Sequence, residues 1–269
     1  MQTNGFTELL RKYAAHPLFL AGGILYSVIA LFGAISGYSP SALLAALPIA
    51  GIWAFLIAAK KNQSYFLTGL TLFKVNTIIT LVLFCIGMTF AIIGVTAFFV
   101  IAVTLRDTLG ITSAELAVTF FVLISAVALL IVAVAFYFAA LLNVIKSIRA
   151  GILGKDVARI KGVTPFFVTS VLASVSNAFL TLLAYVKQEQ LNAIASEVLD
   201  TIREFFEAMP SYADSPEMVE VFEQSLVYEP SNMHIFSVIL AVLSGGGIVL
   251  MLVTLRRFAR EWVRQRTEI

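Results

Sequence analysis

The chain has 269 residues, 60% of them hydrophobic and 13% charged, with a formal net charge of +2. Ordinary globular domains run to roughly 45–50% apolar and about 25% charged residues, so a water-soluble fold is excluded: the polar surface is too small to cover a chain this apolar. The one cysteine, Cys85, excludes an intrachain disulfide and a thiolate metal cluster.

A bilayer core about 30 Å thick takes roughly 20 apolar residues in a helix. Six stretches fit, in chain order Pro17–Gly37, Ser41–Ala59, Asn76–Thr104, Leu116–Ile145, Pro165–Val186 and His234–Leu255, and none contains an internal Asp, Glu, Lys or Arg. Their continuity excludes barrel strands, which alternate and span only about 9–11 residues. The first run is too long for the core of a signal peptide and a second follows after Tyr38-Ser39-Pro40-Ser41, so it is expected to stay as a helix. Pro17 suits a first helical turn. Asn62–Val75 reads as an interfacial helix leading into the third span, Pro48 as a kink in the second, and Gly87 or Gly94 as a possible bend in the third. Thr112 and Glu115 form a capping box ahead of the fourth span. Ile145, Ile148 and Ile152 carry that helix past the apolar run to an end at Gly154.

Basic residues near span ends set orientation. Arg11 and Lys12 precede the first span, and Lys60, Lys61 and Lys74 follow the second. Lys146, Arg149, Lys155, Arg159 and Lys161 follow the fourth, and Arg256, Arg257, Arg260, Arg264 and Arg266 follow the sixth. These are 15 of the 18 basic residues, all on alternate connections. The expected fold is therefore an all-α integral membrane protein with six transmembrane helices and both termini in the cytoplasm.

The fifth connection, Lys187–Met233, is expected outside the cytoplasm and holds ten acids against two bases. Leu191, Ile194, Val198, Ile202, Phe205 and Met209 mark one apolar helix face. Pro210 ends it, and Ser215-Pro216-Glu217 starts a second helix with Met218, Phe222 and Leu226 on one face. The segment reads as an extracytoplasmic amphipathic helical hairpin between spans five and six, its acids a solvated face or, less simply, a site for cations. This divides the chain into a five-span bundle over residues 1–186, the hairpin over 187–233, and the sixth span with its basic tail over 234–269.

With no ionisable side chain inside the spans, proton relays and carboxylate chemistry lack their usual groups. The uncharged polar pair Ser176 and Asn177 lies mid-span in the fifth. Such groups either hydrogen-bond a neighbouring helix, at ~0.6 kcal/mol on average, or line a pathway. Gly245, Gly246 and Gly247 in the sixth span either admit close helix packing or mark a hinge at a cavity. Small residues at four-residue spacing (Ala46, Ala50, Ala54 and Ala58; Gly33 and Gly37; Ser170, Ser174 and Ala178) are packing ridges. In the tail, Arg256, Arg257, Phe258, Arg260 and Trp262 read as a helix bent onto the lipid interface, with Trp262 in the headgroup zone. His16 and His234 end spans on opposite faces and cannot share a metal.

The function expected from these residues is that of a multi-pass protein without a catalytic site: an interaction, accessory or sensing component of a membrane. The alternative is a permease or channel subunit with a pathway near Ser176, Asn177 and the triple glycine. An intramembrane enzyme fares worst, since no nucleophile–base pair, zinc-ligand set or carboxylate pair stands out. No cofactor and no nucleic acid are expected. The expected partners are the bilayer, anionic headgroups at the cytoplasmic face and other membrane proteins. An ATPase subunit is a further one: a basic helical loop ahead of the penultimate span is where importer permeases dock theirs, although Arg149-Ala150-Gly151 stands where those loops begin Glu-Ala-Ala. The expected location is a bacterial plasma membrane.

Overall fold

The computed structural model describes residues 2–36, 41–104, 112–190, 192–193, 196 and 235–268. The expected hairpin, with Phe205 and Phe222, lies outside these residues except at its first positions, as does His234. The described residues are α-helical with no strand: α1 (Gln2–Ala14), α2 (Pro17–Ser36), α3 (Ser41–Lys60), α4 (Ser64–Thr104), α5 (Ser113–Ile152), α6 (Val163–Val186) and α7 (Ile235–Thr267). Four of them, α4 to α7, are long and apolar enough to cross a membrane, or five crossings if α1 and α2, bent by 56° between them, count as one span. The apolar part of α3, Ala46–Lys60, is shorter. The chain is thus a helical, multi-pass membrane-type protein.

The helix ends follow from local chemistry. His16 caps α2, its Nδ1 accepting the Leu18 N–H at 3.2 Å, while Pro17 opens the helix where a missing donor costs nothing. Asn62 caps α4 by accepting the Ser64 N–H at 3.0 Å. No proline follows, so the expected interfacial helix and third span are one helix of 41 residues. At 1.5 Å per residue it is about 60 Å long, twice the thickness of a bilayer core. Gly87 and Gly94 lie within it without breaking it. The 40-residue α5 ends as expected at Gly154, with φ 75°. There the Lys155 N–H bonds the Ala150 carbonyl at 3.0 Å and the Gly154 N–H bonds that of Gly151 at 3.1 Å, a Schellman closure that needs a left-handed residue.

The chain divides into two compact units, Met1–Ala173 with Leu243–Ile269, and Ser174–Val242. The described part of the second is apolar helix: the remainder of α6 and the first turns of α7. In the first unit, α3 packs on α2 and α4, α4 on α5, and α1 on α2, α3 and α5. Its buried cluster is concentrated at one end. Phe6, Leu9, Leu10 and Ala14 of α1 meet Phe55, Ala58 and Ala59 of α3, Phe66 and Leu70 of α4, Val144, Ile145 and Ile148 of α5, Ile160 and Val163 around the α5–α6 loop, and Phe258 and Trp262 of α7. All four basic segments of the sequence therefore share one core.

Candidate functional site at the basic end

The organising element of this end is α1. Phe6, Leu9, Leu10, Tyr13 and Ala14 recur at three- and four-residue spacing, which gives the helix one apolar face. Phe6, only 1% exposed, stands edge-on to Phe258 and Trp262 at ring-centroid separations of 5.4 and 4.8 Å, an arrangement favoured by the aromatic quadrupole. On its other side is Gly151 of α5, where an added Cβ would lie 2.5 Å from the Phe6 ring. Only glycine lets α5 approach so closely. From the same helix the Arg11 guanidinium reaches the end of α3 and donates from Nε to the Ala59 carbonyl at 2.6 Å. This satisfies an orphan acceptor with a cation at the negative end of a helix.

The tail of α7 completes the arrangement. The indole N–H of Trp262 donates to the Val157 carbonyl at 2.8 Å, so the tail holds the α5–α6 loop. Arg266 pairs with Asp156 of that loop and lies over the Trp262 ring. Arg256 covers Phe167 at 4.8 Å. Glu261 binds α1 twice, accepting from the Tyr13 hydroxyl and, at 3.0 Å, from Lys12 Nζ. These hydrogen bonds, Tyr13's first and Lys12's second, hold the Glu261 carboxyl below its ordinary range. Desolvation, then the hydrogen bond and charge of Glu261, push the Tyr13 phenol up to about 12. Both groups lie beyond the apolar runs.

These placements correct the reading of the tail. The segment is helical to Thr267, but it continues α7 without a break. Phe258 is 1% and Trp262 8% exposed, and both face the protein's own core where the lipid interface was expected. Of the tail arginines, Arg257 and Arg260 are exposed, and Arg256 is partly buried. A tryptophan among arginines suits a headgroup layer and a protein core equally well; the partners supplied by α1 and Val157 make the difference.

The glycines of α7 also separate. Gly247 is buried against α2: its Cβ would lie 3.0 Å from the Gly22 carbonyl, and a Cβ on Gly22 would lie 2.6 Å from the Gly247 carbonyl. This is a close backbone crossing made possible by two small residues. Gly246, by contrast, is exposed, and a Cβ there would meet nothing within 4 Å, so the expectation of close contact there is corrected. Gly245 is partly buried. Ser176 and Asn177 belong to the second unit and are both exposed on α6; the Asn177 carbonyl accepts the Thr181 hydroxyl at 2.8 Å. Of the α3 ridge, Ala54 and Ala58 are buried, whereas Ala46 and Ala50 are exposed. Ser170 is buried.

Sequence reasoning missed three features of this end: the helix α1, the Gly22–Gly247 crossing, and the Tyr13–Glu261–Lys12 contact. The first was visible in the spacing of Phe6, Leu9, Leu10 and Tyr13. The other two join residues more than 220 positions apart and left no local signal. Comparison with protein-family models, curated proteins and solved structures gives no match.

Proposed function

We propose that the chain is a six-span protein of a bacterial plasma membrane, with both termini in the cytoplasm, that acts without catalysis as an interaction, accessory or sensing component. The observation that carries this reading is the single core shared by all four basic segments. It groups Arg11, Lys60, Arg149 and Arg264, from four separate connections, on one packed end, as orientation by basic loops requires. A rigid, basic, water-facing platform built on lipid-embedded helices suits binding to proteins or headgroups. The experiment is purification in mild detergent with identification of bound chains. A reproducible membrane-protein partner lost on charge reversal of exposed Arg257 and Arg260 supports the reading, and a chain that purifies alone and reconstitutes a flux refutes it.

The permease alternative would place a pathway near Ser176, Asn177 and Gly245, Gly246 and Gly247. The Gly22–Gly247 crossing favours close packing over a hinge for this stretch. A co-purifying ATPase would revive the alternative.

A further inference from the structure

Between α4 and α5, at the border of the packed basic end, lies a shallow groove of about 60 Å³. Its floor is apolar, made by Leu70 of α4 and by Leu142 and Ile145 of α5, and its rim carries three cations, Lys74, Lys146 and Arg149. The spacing explains the convergence. Leu70 and Lys74 are four apart on α4, while Leu142, Ile145, Lys146 and Arg149 follow the i, i+3, i+4, i+7 stripe of α5, so each helix turns one face to the groove. All three cations are exposed, and no described residue forms an ion pair or side-chain hydrogen bond with any of them. Elsewhere at this end the cations Arg11, Lys12 and Arg266 are engaged by carbonyls or carboxylates. Three unneutralised charges around one hollow are mutually repulsive, and an anion seated there relieves that repulsion.

The level of the groove selects the kind of anion. Directly after Lys74 the groove face of α4 becomes apolar, with Ile78 at 46% and Val82 at 52% exposed; before Leu142 the same holds on α5, where Ala135 is exposed and Ile131 is 37% exposed. A ligand whose charge meets the three cations would lay its remaining bulk along these side chains. We infer that this groove binds an anionic phospholipid, its phosphate held by Lys74, Lys146 and Arg149 and its acyl chains along the exposed apolar faces of α4 and α5. Basic pockets between helices at the cytoplasmic side commonly recognise such headgroups. The inference rests on the reading that these apolar faces lie in lipid, which the vesicle labelling described below tests on its own.

The probe is phosphatidylglycerol added to the purified full chain in zwitterionic detergent, with the thermal midpoint as readout. Phosphatidylglycerol is expected to raise the midpoint saturably, while phosphatidylcholine and inorganic phosphate at equal concentration leave it unchanged. The combined variant Lys74→Gln, Lys146→Gln, Arg149→Gln should lose the shift. A control with the same loss of charge at other exposed lysines, Lys61→Gln, Lys155→Gln, Lys161→Gln, should keep it. Should the triple variant fail to fold, Lys146→Gln alone is expected to weaken the apparent affinity by about fivefold. The proposal is overturned if phosphatidylcholine works as well, if inorganic phosphate reproduces the effect, if no shift occurs in the wild type, or if the site variants match the control.

Discussion

The two halves of α4 and α5 carry apolar side chains of the same types in opposite surroundings. Toward the basic end, Phe66, Leu70, Val144, Ile145 and Ile148 are buried against four other segments of the chain. Toward the other end, Phe90 is 70%, Phe121 72% and Leu129 70% exposed. In water the second arrangement would be untenable, because exposed apolar patches beyond a few hundred Å² associate. In lipid it costs little, since hydrocarbon chains are as apolar as leucine and no hydrophobic force drives the helices together. Burial thus does not follow residue type: the chain packs its apolar side chains into a core at one end of these helices and leaves them bare at the other.

The largest effect expected from this contrast is a paired substitution. Phe6→Ala removes a buried ring between Gly151, Phe258 and Trp262 and should destabilise the chain by about 3–5 kcal/mol. Phe121→Ala, on the bare half of α5, should stay within about 0.5 kcal/mol. Thermal unfolding of the two variants in one detergent checks this; equal losses would mean that the bare faces are covered by protein.

Next come the glycines of α7. Gly247→Leu forces a side chain into the Gly22 backbone and should cost about 1–3 kcal/mol or more, whereas Gly246→Leu points into open space and should cost little. Retention of a monodisperse peak on size-exclusion chromatography separates them. Trp262→Phe keeps an aromatic ring but leaves the Val157 carbonyl without its donor, at about 1–3 kcal/mol. Its clearest sign should be faster proteolysis within the α5–α6 loop. If the loop is cut no faster than in the wild type, Trp262 does not hold it.

The smallest expected effect is the pH dependence of the α1–α7 contact. Glu261 is depressed from an ordinary 4.5, so its contribution is present above that value and is lost as pH falls through the lower folded value. Tyr13 is raised from 10 to about 12, so its contribution is present below 10 and is lost as pH rises through about 12. The contact should hold across neutral pH. Glu261→Gln should flatten the acid limb of the midpoint-versus-pH curve, and an unchanged limb would assign it to other carboxylates.

Much of the fold was legible because lipid imposes a simple length rule. The apolar runs mark α2, α6 and the start of α7 to within a residue or two, and the period of Ile145, Ile148 and Ile152 with Gly154 marks the end of α5. What was not legible depends on partners. Nothing near Asn76 says whether a break precedes it; the absence of a helix breaker after Asn62 settles that only once the cap is seen. The surroundings of Trp262 depend on α1, a 13-residue helix ahead of the first apolar run and too short to be marked by a span-length rule. The choice of Gly247 over Gly246 depends on which face of α7 meets Gly22, which no local pattern records.

The central claim is that the packed basic end lies in the cytoplasm while the bare halves of α4 and α5 lie in lipid. Cys85, exposed on α4 and the only cysteine, makes it directly testable. A membrane-impermeant maleimide should leave wild-type Cys85 unlabelled in both right-side-out and inside-out vesicles, and should label it after denaturation in detergent. In a Cys85→Ser background, Lys155→Cys, on the exposed α5–α6 loop, should react in inside-out vesicles only. Labelling of Cys85 in sealed vesicles, or of Lys155→Cys from the outer face, would contradict the account.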